Sequence, residues 1–478
     1  MTKLQKKVIK TVLERIVPSA REKKRMEDLA SEVLKKTNEE SSKYGAYAII
    51  AGSLTRDTWL TGKMEFDIFI LFPKTAEKSD MEKAGLNIGK KVINSMKGTY
   101  LIEYAEHPYV SGKIKNISVD MVPCYHLNST AELKSSVDRT PFHVRYIERN
   151  LQKKLSNDVR LLKKICVENG IYGADAKTEG FSGYVCELLI VKYGNFIKAM
   201  KNIANWKYGE IIDIEKFYNK TEYEKLLKTF KNQPLILIDP TDMKRNTSAA
   251  LSHENFQKLK KISTNFNRKP SHSIFFTKNK LPLKSNELRK ILKGRETKLI
   301  LIQFKPPKVV PDILWPQLRR FGDRMESILK EYEFEIIRKA NYTNEKDSAY
   351  SLFEMKNHRL PAIQKRVGPH MSDEDGSNNF INKYEKTAVN GPFIENGFWA
   401  VETRRIFRTA EEKLKDSLDD PLKELKAKGI PSHIAESISK RYRIVSDAEK
   451  IIQMSKKEKK FGVFIREYLE KERLDLGE

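Results

Sequence analysis

The sequence predicts an α+β chain of several domains, and three observations support this prediction. The chain has 478 residues, and at roughly 150 residues per domain this length corresponds to about three or four domains. Short apolar runs alternate with amphipathic stretches before residue 145 and again after residue 269, whereas the middle of the chain follows helical spacing. The sequence has no internal repeat and no long biased tract, which excludes fibrous and wholly disordered chains.

Residues 1–145 are predicted to form an α/β unit built on a mixed sheet. Apolar residues at helical spacing, interrupted by Pro18, indicate two helices before the first strand. The strands predicted from short apolar runs lie at 44–51, 66–72, 99–106 and 114–123. In the last of these strands, alternation places Asp120 on the face opposite Ile117.

Residues 146–268 are predicted to form a mostly helical central domain. Apolar positions at three-and-four spacing predict one continuous helix from about Phe142 to Asn169. A second helix, at 183–193, is apolar on nearly all sides, so we expect it to be buried. One strand is predicted at 232–240, followed by a helix that runs through Ala249, Leu251, Phe256 and Leu259.

Residues 269–405 are predicted to form an α/β body and tail, and residues 406–478 a charged helical segment. The Asn396-Gly397 pair predicts the turn of a β-hairpin. The acidic segment 371–379 is predicted to be a loop. The run of lysines in the last segment is more often a solvated helix face than a binding patch.

The composition is strongly basic, with a formal net charge of +26 and a pI of about 9.6. Such an excess favours a polyanionic partner, above all nucleic acid, because lysine and arginine side chains that neutralise phosphates release condensed counterions. Charge alone leaves two alternatives open, an anionic membrane surface and the charge-rich surface of a thermophilic protein.

The cysteine content and the absence of apolar targeting segments predict a cytoplasmic protein. Cys124, Cys166 and Cys186 include no CxxC spacing, so they provide neither a disulfide framework nor a four-ligand zinc site. The first residues are charged and amphipathic, and no stretch reaches the about 18 consecutive apolar residues of a membrane span. We therefore expect neither secretion nor a membrane partner.

The sharpest chemical pattern is a set of three acidic residues on predicted strands. Glu65 and Asp67 are two residues apart in one strand, so their side chains project to the same side, and Asp120 joins them if its strand is a neighbour. An acidic pair at a strand edge is usually just solvated, but carboxylates beside a run of apolar residues need metal or hydrogen-bond partners. Carboxylate oxygens are hard ligands that suit Mg²⁺. The pattern predicts phosphoryl transfer with two Mg²⁺ ions held by Glu65, Asp67 and Asp120.

Gly52 and Ser53 are predicted to form a phosphate-binding turn. They follow the first predicted strand and precede a stretch that is compatible with a helix. Glycine permits close backbone approach, and exposed amides, the helix N-terminus and the Ser53 hydroxyl can bind triphosphate oxygens. A Gly-Ser pair at such a junction is usually only a helix cap, so the prediction depends on its occurrence together with the three carboxylates.

These motifs together resemble the DNA polymerase beta-like nucleotidyltransferase superfamily, and the string AGSLTRDTWLTGKMEFDIFILFP is similar to the archaeal, class I CCA-adding enzymes. Further blocks resemble that family in the same order, and they cover most of the chain to about residue 410: YAEHPYVSGKIKNISVDMVPCY, KSSVDRTPFHVRYI, NDVRLLKKICVENGIYGADAKTEGFSGYVCELLIVKYG, DPTDMKRNTSAALS, ILWPQLRR and GPFIENGFWAVETRR. The resemblance implies a polymerase beta-like nucleotidyltransferase head, a helical central domain that completes the nucleotide pocket, and an α/β body and tail that bind tRNA.

The resemblance also implies an activity. The protein would be a template-independent tRNA nucleotidyltransferase that adds or repairs the 3′-terminal CCA from CTP and ATP and releases pyrophosphate. Its partner would be tRNA, held at the acceptor stem and the TΨC arm, and the formation of a homodimer stays open. The alternatives are a related nucleotidyltransferase that makes poly(A) or oligoadenylate, and a non-catalytic RNA-binding scaffold. The scaffold is disfavoured because all three carboxylates are present.

The residues that the resemblance implicates fall into a catalytic and a nucleotide-binding set. Glu65, Asp67 and Asp120 would be the catalytic carboxylates, with Asp120 helping to activate the 3′-hydroxyl of tRNA for attack on the α-phosphorus. The nucleotide-binding residues would be Gly52, Ser53, Arg56, His143, Lys163, Tyr172 and Arg245. Of these, Arg245 would read the base with its guanidinium fork, and the others would hold phosphates or line the triphosphate side of the pocket. Helical spacing places Lys163 on the polar side of its helix and predicts that it is exposed.

Overall fold

The computed structural model describes residues 2–104, 106–277 and 280–471. The chain divides into two compact units, Met1–Lys278 and Asn279–Glu478. Both units combine helices with sheets, so the α+β class that the sequence predicts is confirmed, while the division into four domains stays a prediction. In the described ranges, none of the helices is both long enough and apolar enough to cross a bilayer.

The first unit alternates helices and strands in its first half and is mostly helical afterwards. Its helices are α1 (Lys3–Ile16), α2 (Ala20–Ser41), α3 (Lys78–Ser95), α4 (Thr140–Asn150), α5 (Ser156–Glu168), α6 (Gly183–Tyr193), α7 (Phe196–Ala204), α8 (Tyr223–Thr229) and α9 (His253–Arg268). Its strands are β1 (Tyr47–Ala51), β2 (Glu65–Pro73), β3 (Thr99–Tyr104), β4 (Pro108–Ile114), β5 (Ile117–His126), β6 (Glu210–Ile212), β7 (Leu235–Asp239) and β8 (Asp242–Asn246).

A mixed sheet with the strand order β1-β2-β5-β4-β3 forms the first half of this unit. The central strands β2 and β5 run parallel, and the other neighbours run antiparallel. Helices α2 and α3 cover one face, and α2 begins with a capping box between Ser19 and Glu22 directly after Pro18. The two predicted helices, the predicted strands and the burial of the Ile117 face are confirmed.

The sequence prediction missed strand β4. Its sequence, PYVSGKI, mixes polar residues and a glycine with few β-branched residues, so it carries a weak strand signal. The glycine is required by packing, because a Cβ atom at Gly112 would lie 2.5 Å from the Cδ1 atom of Ile93. Helix α3 therefore packs directly on the backbone of this strand.

A second hydrophobic core of the first unit is mainly helical. Buried residues of α1, α5, α6, α7 and α9 form it, and helix α1 contributes Val8, Val12 and Ile16. Helix α6 is buried as predicted. The short sheet β6-β7-β8 belongs to the same half of the unit, with β7 parallel to β6 and antiparallel to β8.

Two element predictions in this region were wrong. The predicted continuous helix is broken, because α4 ends at Asn150 and Leu151 adopts an extended conformation before α5 begins at Ser156. Leu151 is still buried in the helical core, so the apolar spacing continues across the break. The spacing alone therefore could not reveal that the helix ends at Asn150. The helix expected to include Ala249 and Leu251 begins only at His253, because β8 and a turn come before it.

The second unit contains two sheets and a series of helices. Its helices are α10 (Ser285–Arg295), α11 (Pro311–Glu331), α12 (Glu374–Tyr384), α13 (Ala410–Leu418), α14 (Leu422–Ala427), α15 (Ser432–Lys440), α16 (Ala448–Lys457) and α17 (Lys459–Leu469). Its strands are β9 (Lys298–Phe304), β10 (Ile336–Thr343), β11 (Ala349–Met355), β12 (Ile363–His370), β13 (Asn390–Glu395), β14 (Phe398–Arg404) and β15 (Tyr442–Val445).

An antiparallel sheet in the order β10-β11-β9-β15 forms the body of the second unit. Side chains of α11, α13, α14 and α15 share one core with this sheet, and side chains of α10, α16 and α17 share another. The segment 406–478 was predicted to be helical. Up to residue 471 the structure is mainly helical, except for β15, a short strand that pairs with β9, and residues 472–478 lie outside the described ranges.

The second sheet of this unit is smaller and has the strand order β12-β14-β13. In the sequence its strands come after β11 and before β15. The predicted hairpin is confirmed, with left-handed backbone at Asn396 (φ 50°) and Gly397 (φ 84°) between β13 and β14. The predicted loop at 371–379 is wrong in its second half, because α12 begins at Glu374. Asp373 starts this helix by accepting a hydrogen bond from the Gly376 backbone N–H.

Glu354 is a buried carboxylate on β11 that joins the body sheet to helix α17. Its side chain accepts hydrogen bonds from Arg295 Nε at 2.6 Å, Thr297 Oγ1 at 2.7 Å and Tyr468 Oη at 3.0 Å. Burial alone would raise the pKa of Glu354, but these hydrogen bonds outweigh it and hold the pKa below its ordinary value. Glu354 is therefore an ionised side chain within the core that connects β11 to α17 through hydrogen bonds.

We expect Glu354→Ala to destabilise the second unit by about 1–3 kcal/mol, because it leaves half-buried donors such as the Thr297 hydroxyl without their carboxylate acceptor. Amide hydrogen exchange in α17 and β11 measures the loss. The matched control is Glu335→Ala, which removes an exposed ion pair with Lys356 (2.6 Å) and should cost less than about 1 kcal/mol. Equal protection in both variants would contradict the anchoring role.

Candidate active site

The three predicted carboxylates lie on the central strands of the mixed sheet. Asp67 on β2 is opposite Asp120 on β5, and Glu65 is opposite Ser118 in the same parallel register. Glu65 is exposed, and Asp67 and Asp120 are partly buried on the face away from Ile117. The structure thus places the three acids on one face, as the alternation of the sequence predicts.

Their mutual repulsion is visible in the protonation equilibria. Burial, followed by the charges of Asp120 and Glu65, raises the pKa of Asp67 to about 7, although Arg56 acts in the opposite direction. Burial also raises the pKa of Asp120, while a hydrogen bond from Ser111 opposes this rise. Two neighbouring carboxylates whose charged forms are disfavoured provide a place where a cation would be stabilising.

The chemistry of these side chains fits a divalent cation, since carboxylate oxygens are hard ligands. In the described ranges, however, no group of three or more His, Cys, Asp and Glu side chains is gathered closely enough to hold a metal ion. Glu65 instead lies 4.0 Å from Lys63 Nζ. Because Glu65 is exposed, its side chain can change rotamer to join Asp67 and Asp120.

Gly52 and Ser53 form a turn after β1 that lies against the carboxylates. Gly52 has a φ of 81°, and a Cβ atom there would lie 2.5 Å from Asp67 Oδ2. Only glycine allows both this conformation and this approach. The helix expected after Ser53 is absent, because residues 52–62 form successive turns and irregular backbone in the described structure.

We call residues 52–62 the turn loop, and side chains from the surrounding helices hold it in place. Arg160 on α5 donates to the Trp59 carbonyl at 2.8 Å and pairs with Asp57. Lys23 on α2 pairs with the same aspartate at 2.6 Å. Ser156 donates to the Arg56 carbonyl at 3.1 Å. These tertiary contacts replace the backbone bonds that a helix would have made.

Glu187 on α6 is a fully buried carboxylate beneath the turn loop. It accepts hydrogen bonds from Lys163 Nζ at 2.9 Å and Thr58 Oγ1 at 2.8 Å, and it pairs with Arg56 at 3.0 Å. Burial alone would raise the pKa of Glu187, but the charges of Lys163 and Arg56 hold it below its ordinary value. We refer to Glu187, Lys163, Arg56 and Thr58 as the Glu187 cluster.

The predicted exposure of Lys163 is wrong, because the residue is only 3% exposed. Helical spacing correctly placed Lys163 away from the apolar stripe of α5. It could not reveal that Glu187 on α6 pairs with the Lys163 ammonium group. A lysine that is paired with a carboxylate can be buried where a lone lysine cannot.

A small cleft brings together several of the predicted nucleotide-binding residues. Ser53, Glu65, Lys163 and Tyr172 line it together with Lys63. The Lys63 ammonium lies 5.0 Å from the centre of the Tyr172 ring, a cation–π distance. The structure therefore places two lysines beside the serine of the turn loop and one acid of the carboxylate set.

His143 and Arg245 form a separate group around Asp239. His143 Nε2 and Arg245 Nη1 each lie 2.8 Å from Asp239 Oδ2. The ring of His143 stacks on that of Tyr184, with centroids 4.0 Å apart. Arg245 lies on β8, the strand that follows the turn at the end of β7.

Sequence reasoning missed Glu187, Asp239 and Lys63. Glu187 stands in the helix GYVCELLIVKY, and Asp239 ends the strand LILID. An acid inside an otherwise apolar buried element needs a partner, so both were detectable as paired groups, although their partners were not. Lys63 carried no such signal, because it is an exposed lysine between the turn loop and β2.

Three protein families match successive parts of the chain. The nucleotidyltransferase domain matches residues 30–143, the second domain of tRNA nucleotidyltransferases matches residues 157–276, and the C-terminal domain of CCA-adding enzymes matches residues 295–447. The first match contains the carboxylates, the turn loop and His143, and the second contains Asp239, Arg245 and Glu187.

Curated relatives are similar over most of their length. The CCA-adding enzyme of Archaeoglobus fulgidus is 35% identical to this chain over 92% of it and 94% of that enzyme. The enzyme of the same name from Methanosarcina mazei is 34% identical over 96% and 97% of the two chains. A solved structure of an RNA terminal uridylyl transferase is 12% identical, covers 57% of this chain and 98% of its own, and has a TM-score of 0.45, a similarity too low to bear on function.

Proposed function

The chain belongs to the family of archaeal CCA-adding enzymes, and from this membership we propose how its own residues carry out the reaction. It is a tRNA nucleotidyltransferase that acts on tRNA with CTP and ATP and adds CCA. Enzymes with this catalytic domain generally use divalent metal ions. The observation that supports our proposal most directly is the pairing of Asp67 and Asp120 across two parallel strands, next to the turn of Gly52.

We assign the catalytic work to the carboxylate face. Asp67 and Asp120, joined by Glu65, would hold two Mg²⁺ ions, and the chemistry that such ions supply when bound is neutralisation of triphosphate charge and polarisation of the reacting oxygens. Asp120 orients the 3′-hydroxyl of tRNA and helps to remove its proton, so that the oxygen attacks the α-phosphorus and pyrophosphate leaves.

We assign the nucleotide to the turn loop, the cleft and the Asp239 group. The backbone of Gly52 and the hydroxyl of Ser53 bind phosphate oxygens, and Arg56, Lys163 and Tyr172 line the triphosphate side. His143 and Arg245 lie together on Asp239, which supports base reading by the guanidinium of Arg245.

We assign tRNA binding to the basic surface, with the acceptor stem and the TΨC arm as the regions held. The formal net charge of +26 and the match of residues 295–447 to the C-terminal domain of CCA-adding enzymes support this assignment. Contacts to phosphates position a nucleic acid without reading its sequence, which suits an enzyme that must accept tRNAs of many sequences.

The assignment is tested by the products that the purified protein makes with Mg²⁺, labelled nucleotides and tRNA transcripts ending before, within and after CCA. We expect addition of C, C and A in that order, followed by arrest, at single-nucleotide resolution. Long A tails, or dinucleotide products without tRNA, would point to a related nucleotidyltransferase. Tight tRNA binding without incorporation would point to a scaffold.

The affinity for tRNA should fall linearly with salt concentration on a double-logarithmic plot, because each neutralised phosphate releases counterions. With about six phosphate contacts, the loss between about 50 and 200 mM salt would be roughly a thousandfold. Filter binding or fluorescence anisotropy across this range gives the slope. An affinity that does not depend on salt would mean that the basic surface is not the tRNA site.

A further inference from the structure

Asp239 is a buried carboxylate that receives groups from several elements of the first unit. It ends strand β7 and is fully buried. Oδ2 lies 2.8 Å from both His143 Nε2 on α4 and Arg245 Nη1 on β8. Oδ1 accepts from the Thr241 backbone N–H at 2.9 Å and from the Thr241 hydroxyl at 2.8 Å. The carboxylate is thus fixed by its own turn before it binds either cationic side chain.

The environment keeps this carboxylate charged. Burial alone would raise the pKa of Asp239, but the hydrogen bond and charge of His143, together with the hydrogen bonds from Thr241, hold it well below its usual range. The Tyr184 ring stacks on His143 at an interplanar angle of 17°, and its hydroxyl lies 3.4 Å from Asp239 Oδ1. His143 is therefore confined both by the stacked ring and by the carboxylate.

The arrangement restricts the guanidinium of Arg245. Its Nη1 is engaged by Asp239, while the side chain as a whole remains 35% exposed. Arg245 also lines a cavity of about 1000 Å³ together with Arg139, Thr241 and Phe217. A guanidinium carries five N–H donors in a rigid plane, so holding one nitrogen restricts the orientations in which the remaining donors are offered.

A donor held in a fixed plane separates the nucleobases by elementary chemistry. Cytosine and adenine present a ring nitrogen without hydrogen on their pairing edges, at N3 and N1 respectively, whereas uracil and guanine carry N–H groups at those positions. A fixed donor can bind the first pair but leaves two donors facing each other with the second pair. Leaving buried polar groups unpaired is the strongest form of discrimination that a site has.

We propose that Asp239 is a positioning residue that determines nucleotide specificity, because it holds Arg245 and His143 in one fixed arrangement. This inference rests on the proposed function and adds to it the residue that orients the base-reading group. Asp239 does not touch the nucleotide in this scheme. Its effect is exerted through the two side chains that it binds.

The test compares kcat/KM for CTP, ATP, UTP and GTP in the full chain and in Asp239→Asn. We expect the preference for CTP and ATP over UTP and GTP to fall by about tenfold or more, because hydrogen bonds to charged groups are the strong ones and their loss frees the guanidinium plane. The double variant Asp239→Asn/Arg245→Ala should discriminate no worse than Arg245→Ala alone. The effects are not additive, because Asp239 acts through the side chain of Arg245 in this measurement.

Asp213→Asn is the matched control. Asp213 is a buried carboxylate directly after β6 of the same small sheet, and it accepts from the Tyr218 backbone N–H at 2.9 Å. Its replacement should change the discrimination ratios by less than about twofold, although it removes the same kind of charge.

Thr241→Val provides a milder variant in case Asp239→Asn does not fold. It removes one hydroxyl donor to Oδ1 and should lower discrimination by a smaller factor with the fold intact. Unchanged discrimination in a folded Asp239→Asn, or in Thr241→Val where the first variant is unfolded, would overturn the proposal. A wild-type chain that adds neither C nor A would instead overturn the proposed function, so the two failures are distinguishable.

Discussion

Asp67→Ala is expected to abolish nucleotide addition and to leave tRNA binding unchanged. Asp67 is paired in register with Asp120, and it lies at the place where metal-bound triphosphate would be held. We expect kcat/KM for CTP to fall at least about a thousandfold, which corresponds to a loss of about 4 kcal/mol of transition-state stabilisation. Single-turnover incorporation and tRNA anisotropy, measured on the same preparation, separate chemistry from binding.

The stability of this variant is a second readout. Because burial and the charges of Asp120 and Glu65 disfavour ionised Asp67, its removal should not lower the free energy of unfolding in the absence of metal. Glu32→Gln is the control, since it neutralises an exposed acid on helix α2 and should retain activity. Substantial activity of Asp67→Ala in an assay saturated with Mg²⁺ would refute the catalytic role.

Glu187→Ala is expected to unfold or loosen the region around the turn loop. Removing one partner of a buried ion pair leaves the others uncompensated, which costs about 3–5 kcal/mol. Lys163 and Arg56 would both lose their carboxylate, and Thr58 would lose its acceptor. Because the first two of these residues line the proposed triphosphate site, the KM for CTP and ATP should rise together with the loss of stability. Denaturant unfolding and steady-state kinetics measure the two effects.

Glu187→Gln and Glu40→Ala complete this comparison. The glutamine keeps one oxygen acceptor for Thr58 or Lys163 but no charge, so it should lie between wild type and alanine in both measurements. Glu40 pairs with Lys43 at 2.6 Å on the surface of α2, and its loss should change the free energy of unfolding far less than the loss of Glu187, because solvent screens the pair. If Glu187→Ala were as mild as Glu40→Ala, the Glu187 cluster would not support the loop.

The positions of the three carboxylates could be predicted from the sequence because they depend on local periodicity. Alternation along a strand fixes the face of Glu65 and Asp67, and one assumption, that the strand of Asp120 is a neighbour, completes the set. The structure supplies that neighbour as a parallel strand. Periodicity also identified the buried helix α6 and the hairpin turn at Asn396, since both depend only on residues close in sequence.

The turn loop and the Glu187 cluster were not accessible in this way. The loop sequence is compatible with a helix, and its actual path is set by Arg160 and Asp57 (residues far apart in the sequence) and by Glu187 on α6. The same tertiary pairing buries Lys163 against the expectation from helical spacing. Local sequence patterns report which residues need partners, but the identity of the partner depends on the assembled fold.

Strand β15 has a consequence for the synthesis of the protein. It pairs with β9, placing Tyr442 opposite Phe304, so β9 leaves the ribosome long before its neighbour exists. The core of the first unit, by contrast, is complete once Phe275 has emerged. A nascent chain therefore carries a finished first unit together with an open strand edge in the second, and such edges are where unwanted pairing begins. Chaperone protection during translation would be needed chiefly between the emergence of β9 and that of Val445.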